Sequence, residues 1–177
     1  YFYVKDQVGN INKQSILIQN VDKTAPTITV SPTQSSVSKS VNVVITVKDE
    51  TGGSGLSSSN SYQYYLSTSS TALSGGAWTN YTPGTSFNIG SGKTGTFYLF
   101  VKTIKDNGGN TSSGNQDIGG TKYHKYGPYI FLNETPTCTI SGNPSSWTNK
   151  DVTLTVNSSS QQLHSSPYSW TSSTSGF

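Results

Sequence analysis

The feature that most constrains this chain is that it repeats itself. Val4-Lys5-Asp6-Gln7-Val8-Gly9-Asn10 returns as Ile104-Lys105-Asp106-Asn107-Gly108-Gly109-Asn110, and Asp22-Lys23-Thr24-Ala25-Pro26-Thr27 returns as Asn133-Glu134-Thr135-Pro136-Thr137. Val43-Val44-Ile45-Thr46-Val47 reappears as Val152-Thr153-Leu154-Thr155-Val156. The three offsets are 100, 110 and 109 residues, so a unit of about 110 residues recurs with an insertion in one copy. A unit of that size is one small domain in an array. The phase places a complete domain at residues 21–132, the C-terminal part of a preceding repeat at 1–20 and the N-terminal part of a following repeat at 133–177. Such an array points to an extended scaffold or adhesive protein rather than a self-contained enzyme. A chain opening on Tyr1 is expected to be an internal piece of that array.

Only 31% of the residues are apolar and 11% charged, while Ser and Thr number 55 of 177. Scattered apolar residues at that density could not build a core. Here they come in short alternating runs, the pattern of a half-buried strand, in which successive side chains face opposite sides of a sheet. The net charge of +3 is spread thinly, and no run of Lys could neutralise several phosphates at once, so nucleic-acid binding is not expected. No apolar stretch is long enough to span a membrane, and no export signal opens the chain. The single cysteine, Cys138, aligns with Ile28 and is expected to be a small buried hydrophobe in a first strand.

In residues 21–132 about seven apolar runs are separated by turn-rich stretches. The expected strands are Thr27 to Val30, Val41 to Val47, Tyr62 to Leu66, Trp78 to Tyr81, Ser86 to Ile89, Thr96 to Lys105 and Tyr129 to Leu132. No window shows a helical period free of Gly and Pro. The expectation is an all-β fold: immunoglobulin-like antiparallel β-sandwich repeats, one complete and two partial.

The residues that carry a resemblance are Val4 to Asn10, Val21 to Thr27, Tyr64-Tyr65-Leu66 and Gly75 to Tyr81. Together they resemble the Val-x-Asp-x-Ala-Gly-Asn and Asp-x-x-Ala-Pro signatures of bacterial immunoglobulin-like repeats. Val8 and Gly108 stand where that signature has Ala. The resemblance implies a large bacterial cell-surface or secreted protein in which such modules serve as stalks, cell-adhesion segments or accessory domains. It implies neighbouring repeats as the first partners, and host or cell-wall glycans or proteins as further ones. The segment Thr111 to Tyr126 is about ten residues longer than its counterpart after Asn10, and long loops on rigid scaffolds concentrate binding function.

Strand direction turns the repeated aspartates into a geometric expectation. If the strands alternate, Asp22 before the first strand, Asp49 after the second and Asp106 after the sixth meet at one pole. Three carboxylates there repel one another unless solvated or sharing a cation, and hard oxygen donors suit calcium, with Asn110 available as a neutral oxygen. The competing reading is ordinary turn chemistry, in which each carboxylate accepts nearby backbone amides. For a ligand other than an ion, Trp78 and the Tyr123, His124, Tyr126 segment are the candidate carbohydrate- or protein-binding residues, although Trp78 fits better as a core or half-core aromatic and His124 as a solvated or hydrogen-bonded loop histidine. Neither His124 nor His164 stands in a metal or catalytic motif, and no nucleophile elbow, phosphate loop or dinucleotide fingerprint occurs. The sequence therefore describes a module without catalysis, either a structural or adhesive segment or a carbohydrate-binding accessory domain of a secreted glycosidase.

Overall fold

The computed structural model describes residues 1–73 and 76–159. Gly75, His164 and the last part of the expected third repeat, residues 160–177, lie outside them. Among the described residues there are twelve strands and no helix, and every pair of strands is antiparallel. Among the described residues no helix is long and apolar enough to cross a membrane. The chain divides into two compact units, Tyr1–Leu132 and Asn133–Phe177.

In the first unit, β3 (Thr27–Ser31), β4 (Val41–Lys48) and β7 (Ser86–Ile89) form a three-stranded sheet in the order β3-β4-β7. A five-stranded sheet runs in the order β6 (Thr79–Asn80), β5 (Gln63–Ser67), β8 (Gly95–Lys102), β10 (Thr121–Phe131), β9 (Gln116–Ile118). The two sheets share one core, which makes the arrangement sandwich-like. Ile28, Val30, Val43, Ile45 and Ile89 from the first sheet meet Phe97, Leu99, Val101, Tyr129 and Phe131 from the second, joined by Tyr81 and Ile104. The period of two explains the choice. In β4, Val43 and Ile45 are buried and Asn42 between strand start and core is exposed, because alternate residues face the opposite sheet. Tyr129 is anchored further by its hydroxyl, which donates to the Pro32 carbonyl at 2.7 Å.

The five-stranded sheet is covered on its outer face as well. Tyr65 and Phe100, opposite one another on β5 and β8, are 3% and 0% exposed although they point away from the shared core. The connection between β5 and β6 lies over them: Trp78 packs against Tyr65 at 5.6 Å between ring centroids, and Lys125 Nζ donates to the Ser70 carbonyl at 3.2 Å.

β10 departs most from expectation. Its last residues coincide with the expected final strand, but it begins at Thr121 and takes in the end of the segment read as a long binding loop, including Tyr123, His124 and Tyr126. Gly127-Pro128 looks like a strand end because Pro lacks the ladder donor. Instead the pairing with β8 shifts register between Tyr126 and Tyr129 and then continues, the behaviour of a bulge. β9 pairs with the start of β10 through the Gly119-Gly120 turn, where both glycines have positive φ, 60° and 81°.

β3 leads into a stretch that leaves its own sheet and runs beside β10. Gly127 N–H donates to Thr33 O (2.8 Å), Ser35 N–H to Pro128 O (3.2 Å), Ser38 N–H to Ile130 O (3.1 Å) and Leu132 N–H to Ser38 O (3.0 Å). The bridge Ser38↔Phe131 is parallel.

Residues Phe2–Lys5 (β1) and Ile11–Gln14 (β2) form a two-stranded hairpin whose residues are all exposed. Its turn copies the one at 106–110. Asp6 N–H donates to Asn10 O at 3.0 Å and Asp106 N–H to Asn110 O at 3.1 Å; the Asn10 and Asn110 side-chain amides donate to Asp6 and Asp106 Oδ2 at 2.7 Å each. The sequence repeat is thus a repeat of local hydrogen bonding.

In the second unit β11 (Thr137–Ser141) pairs with β12 (Thr155–Ser159). Ile140 faces Val156, where Val30 faces Ile45 in the first unit. This register sets Val156 against Ile45 rather than Val47, two residues away from the sequence alignment, a shift that leaves each side chain on the same face. Cys138 is exposed, not buried as expected. Every residue of β11 is exposed, because among the described residues this strand belongs to a two-stranded sheet with no second layer over it.

Candidate metal centre

Asp22, Asp49 and Asp106 come together. Carboxylate oxygens of the three lie within 4.8 Å of one another, with Asp106 buried and the other two half-buried. Each arrives for a separate reason. Asp49 follows β4 directly, and Asp106 follows β8 after Ile104 has been inserted into the core. Asp22 lies in the segment entering β3, where the Asn110 side-chain amide donates to the Asp22 carbonyl at 3.2 Å.

The loop after β4 is fastened to the turn after β8. Asn60 brackets Lys105, donating to its carbonyl at 2.7 Å and accepting from its amide at 2.8 Å. Asn107 N–H donates to the Gly55 carbonyl at 2.8 Å. Ser54 is the hub: its amide donates to Asp22 Oδ2 at 2.7 Å, its hydroxyl accepts from Gly108 N–H at 2.8 Å, and its carbonyl accepts from the Asn107 side chain at 2.9 Å.

Turn chemistry satisfies part of the cluster. Asp106 takes Asn110 N–H and the Asn110 side-chain amide on its two oxygens, as Asp6 does with Asn10. Asp22 accepts from Thr24 and Ser54, and Asp49 Oδ2 from Gly55 N–H at 2.7 Å. The Asn110 side chain therefore presents its amide nitrogen to Asp22 and Asp106, so it is a donor here and not the neutral oxygen ligand expected.

Turn chemistry leaves two oxygens over. Asp49 Oδ1 and Glu50 Oε2 are buried without any hydrogen-bond partner. Glu50, absent from the sequence expectation, is the fourth carboxylate of the pole. Its own backbone amide, the largest influence, holds its carboxyl down, yet burial and the adjacent Asp49 and Asp22 carboxylates raise it above the ordinary value. Asp22 moves the other way, held far below the usual carboxylate range by the Ser54 hydroxyl and amide and then the Thr24 amide. Opposite shifts in neighbouring carboxyls follow when like charges share one site, and a hydrogen bond between Glu50 and Asp22 contributes to both. Lys23 lines the adjoining groove of about 360 Å³, together with Asp22, Glu50, Gly52, Gly53 and Ser54. Orphaned carboxylate oxygens in an all-oxygen donor set fit a hard divalent cation. Of the four carboxylates only Glu50 escaped the sequence reading: strand direction places Asp49, whereas Glu50 beside it reads as a surface acid.

The other candidate residues do not form one platform. His124 is on β10 rather than in a solvated loop and is 8% exposed, with Nε2 2.9 Å from the Ser112 hydroxyl. Burial lowers its pKa. Tyr126 points to the core side and donates its hydroxyl to the Ile28 carbonyl at 2.9 Å. Tyr123 is on the outer face, stacked on Trp78 at 5.5 Å between centroids. Trp78 also has Lys102 Nζ 4.9 Å from its ring centroid, so the half-buried indole already has partners on the sheet.

No protein-family model, curated protein or solved structure matches this chain.

Proposed function

We propose that this chain is a non-catalytic structural or adhesive module, an immunoglobulin-like repeat of a bacterial surface or secreted protein, stiffened by calcium at the pole where each repeat begins. The observation that carries the reading is the path of the chain. At Asp22 it enters the two-sheet sandwich beside Asp49 and Asp106, at the ends of β4 and β8, and it leaves after Phe131, which pairs with Gly95 at the opposite end of β8. Domains entered at one end and left at the other string into extended arrays with their neighbouring repeats as first partners. The sheet orders β3-β4-β7 and β6-β5-β8-β10, with the stretch after β3 crossing to run parallel with β10, support the immunoglobulin-like assignment.

Calcium would be held by Asp22, Asp49, Glu50 and Asp106. It would supply the positive charge that two orphaned oxygens lack and tie the entering segment to two loops. The corresponding residue at the next repeat is Asn133 in place of Asp22, so an ion there would be weaker. Titration calorimetry with calcium, paired with thermal melts, tests the reading. The wild-type chain should release or absorb heat and melt higher, with about 2.7 kcal/mol gained at about a hundredfold excess over Kd. Asp49→Asn should show neither effect while melting no lower than wild type in chelator, since it relieves repulsion. An absence of heat and of any rise in wild type removes the ion from the reading. Binding of a soluble glycan, abolished by Trp78→Ala, would turn the assignment to a carbohydrate-binding accessory domain.

A further inference from the structure

Asn107-Gly108 is the one Asn-Gly pair in the sequence, and the first copy of the motif has Gln7-Val8 in its place. Both residues are exposed in the turn after β8. An Asn followed by Gly is the pair most open to loss of its side-chain amide, because no side chain shields the next backbone nitrogen. The reaction needs that nitrogen to be free. Hydroxide removes the Gly108 amide proton and the nitrogen attacks Asn107 Cγ. A C–N bond closes a cyclic imide, the Cγ–Nδ2 bond breaks, and ammonia leaves with a proton from water. Water then opens the ring at either carbonyl, giving aspartate or isoaspartate.

Ser54 holds both reacting groups. Gly108 N–H, whose proton must go, donates to the Ser54 hydroxyl at 2.8 Å, and the Asn107 amide nitrogen, which must leave, donates to the Ser54 carbonyl at 2.9 Å. The backbone between them is pinned by Asn107 N–H on the Gly55 carbonyl at 2.8 Å. We propose that Asn107 is a latent deamidation site locked by Ser54, so that opening of the carboxylate pole converts it irreversibly to an acid. The product adds a carboxylate beside a cluster that already has four. Isoaspartate also adds a backbone carbon between Asp106 and Asn110, whose main chains are hydrogen-bonded at 3.1 Å. The turn could not close as before. The modification is therefore a one-way record that the pole has opened, and it stands whether or not calcium binds.

The test keeps chelator present throughout. The full chain is incubated in mildly alkaline buffer, native or unfolded in guanidinium, and the peptide containing Asn107 is followed by mass. The native chain should keep its amide over the time in which the unfolded chain loses most of it. Ser54→Ala in native buffer should lose it about fivefold faster than wild type, the factor that one ordinary hydrogen bond provides. Equal rates in native and unfolded wild type, or in wild type and a folded Ser54→Ala, overturn the proposal. If Ser54→Ala does not fold, hydrogen exchange of the Gly108 amide in wild type decides: slow exchange supports the lock, and exchange at the rate of a free loop amide overturns it.

Discussion

Asp6 and Asp106 occupy equivalent turns and take the same hydrogen bonds from Asn10 and Asn110, so the turn alone accounts for both. What it does not account for is Asp49 Oδ1 and Glu50 Oε2, which are buried without partners. That residue-level difference separates the two readings the sequence left open. Asp22, Asp49 and Asp106 could be placed in advance because strand direction is a coarse property. Glu50 could not, since its burial depends on how the Gly52-Gly53 loop folds back over it. A Cβ on Gly53 would come within 2.6 Å of the Glu50 carboxyl carbon. His124 misled for a similar reason: its burial follows from the length of β10. Ile104 N–H donates to the Ser112 hydroxyl at 3.0 Å, leaving that hydroxyl proton for Nε2 of a neutral imidazole. Burial lowers the folded pKa below 6.5, so the stability that the neutral ring contributes is complete above 6.5 and is lost as pH falls below it toward the folded value. Denaturant midpoints measured from about pH 8 down to about pH 5 should fall in wild type and fall less in His124→Gln; parallel curves would assign the loss to other groups.

At the scale of elements, the strands that alternate cleanly were legible. The expected Ser86 to Ile89 is β7 residue for residue, and the expected Thr27 to Val30 and Val41 to Val47 each extend by one residue. Legibility failed where the ladder is interrupted or the strand is polar. Gly127-Pro128 concealed the length of β10, and Gln116–Ile118 carries too little apolar surface to announce itself. The outer cover of the five-stranded sheet was also hidden, since Tyr65 and Phe100 on their face of β5 and β8 look like the exposed half of an alternating pattern. Gly90, just after β7, shows how tightly the elements are fitted. Its φ is +88° and a Cβ there would meet the Phe131 ring at 2.3 Å, while Phe131 is 1% exposed and has nowhere to go. Gly90→Ala should cost about 1–3 kcal/mol through overpacking and backbone strain, read as a lowered urea midpoint at unchanged slope. An unchanged midpoint would mean that the ring relaxes freely.

At the scale of the whole molecule, the stretch after β3 that runs beside β10 has a consequence for how the first unit bears load. The four hydrogen bonds between residues 33–38 and 127–132 join the stretch that follows the first strand of the sandwich to the end of its last one. The two segments run in parallel, so pulling the ends apart slides one along the other and strains all four bonds together. An antiparallel hairpin such as β1-β2, pulled at its open end, would surrender its bonds one at a time. Ser38→Pro removes the Ser38 donor to Ile130, and single-molecule stretching should show the unit giving way at lower force than wild type. Equal rupture forces would move the resistance elsewhere. Placed this way, the crossing stretch acts as a mechanical clamp, and a string of such units would yield under tension by abrupt steps instead of gradual lengthening.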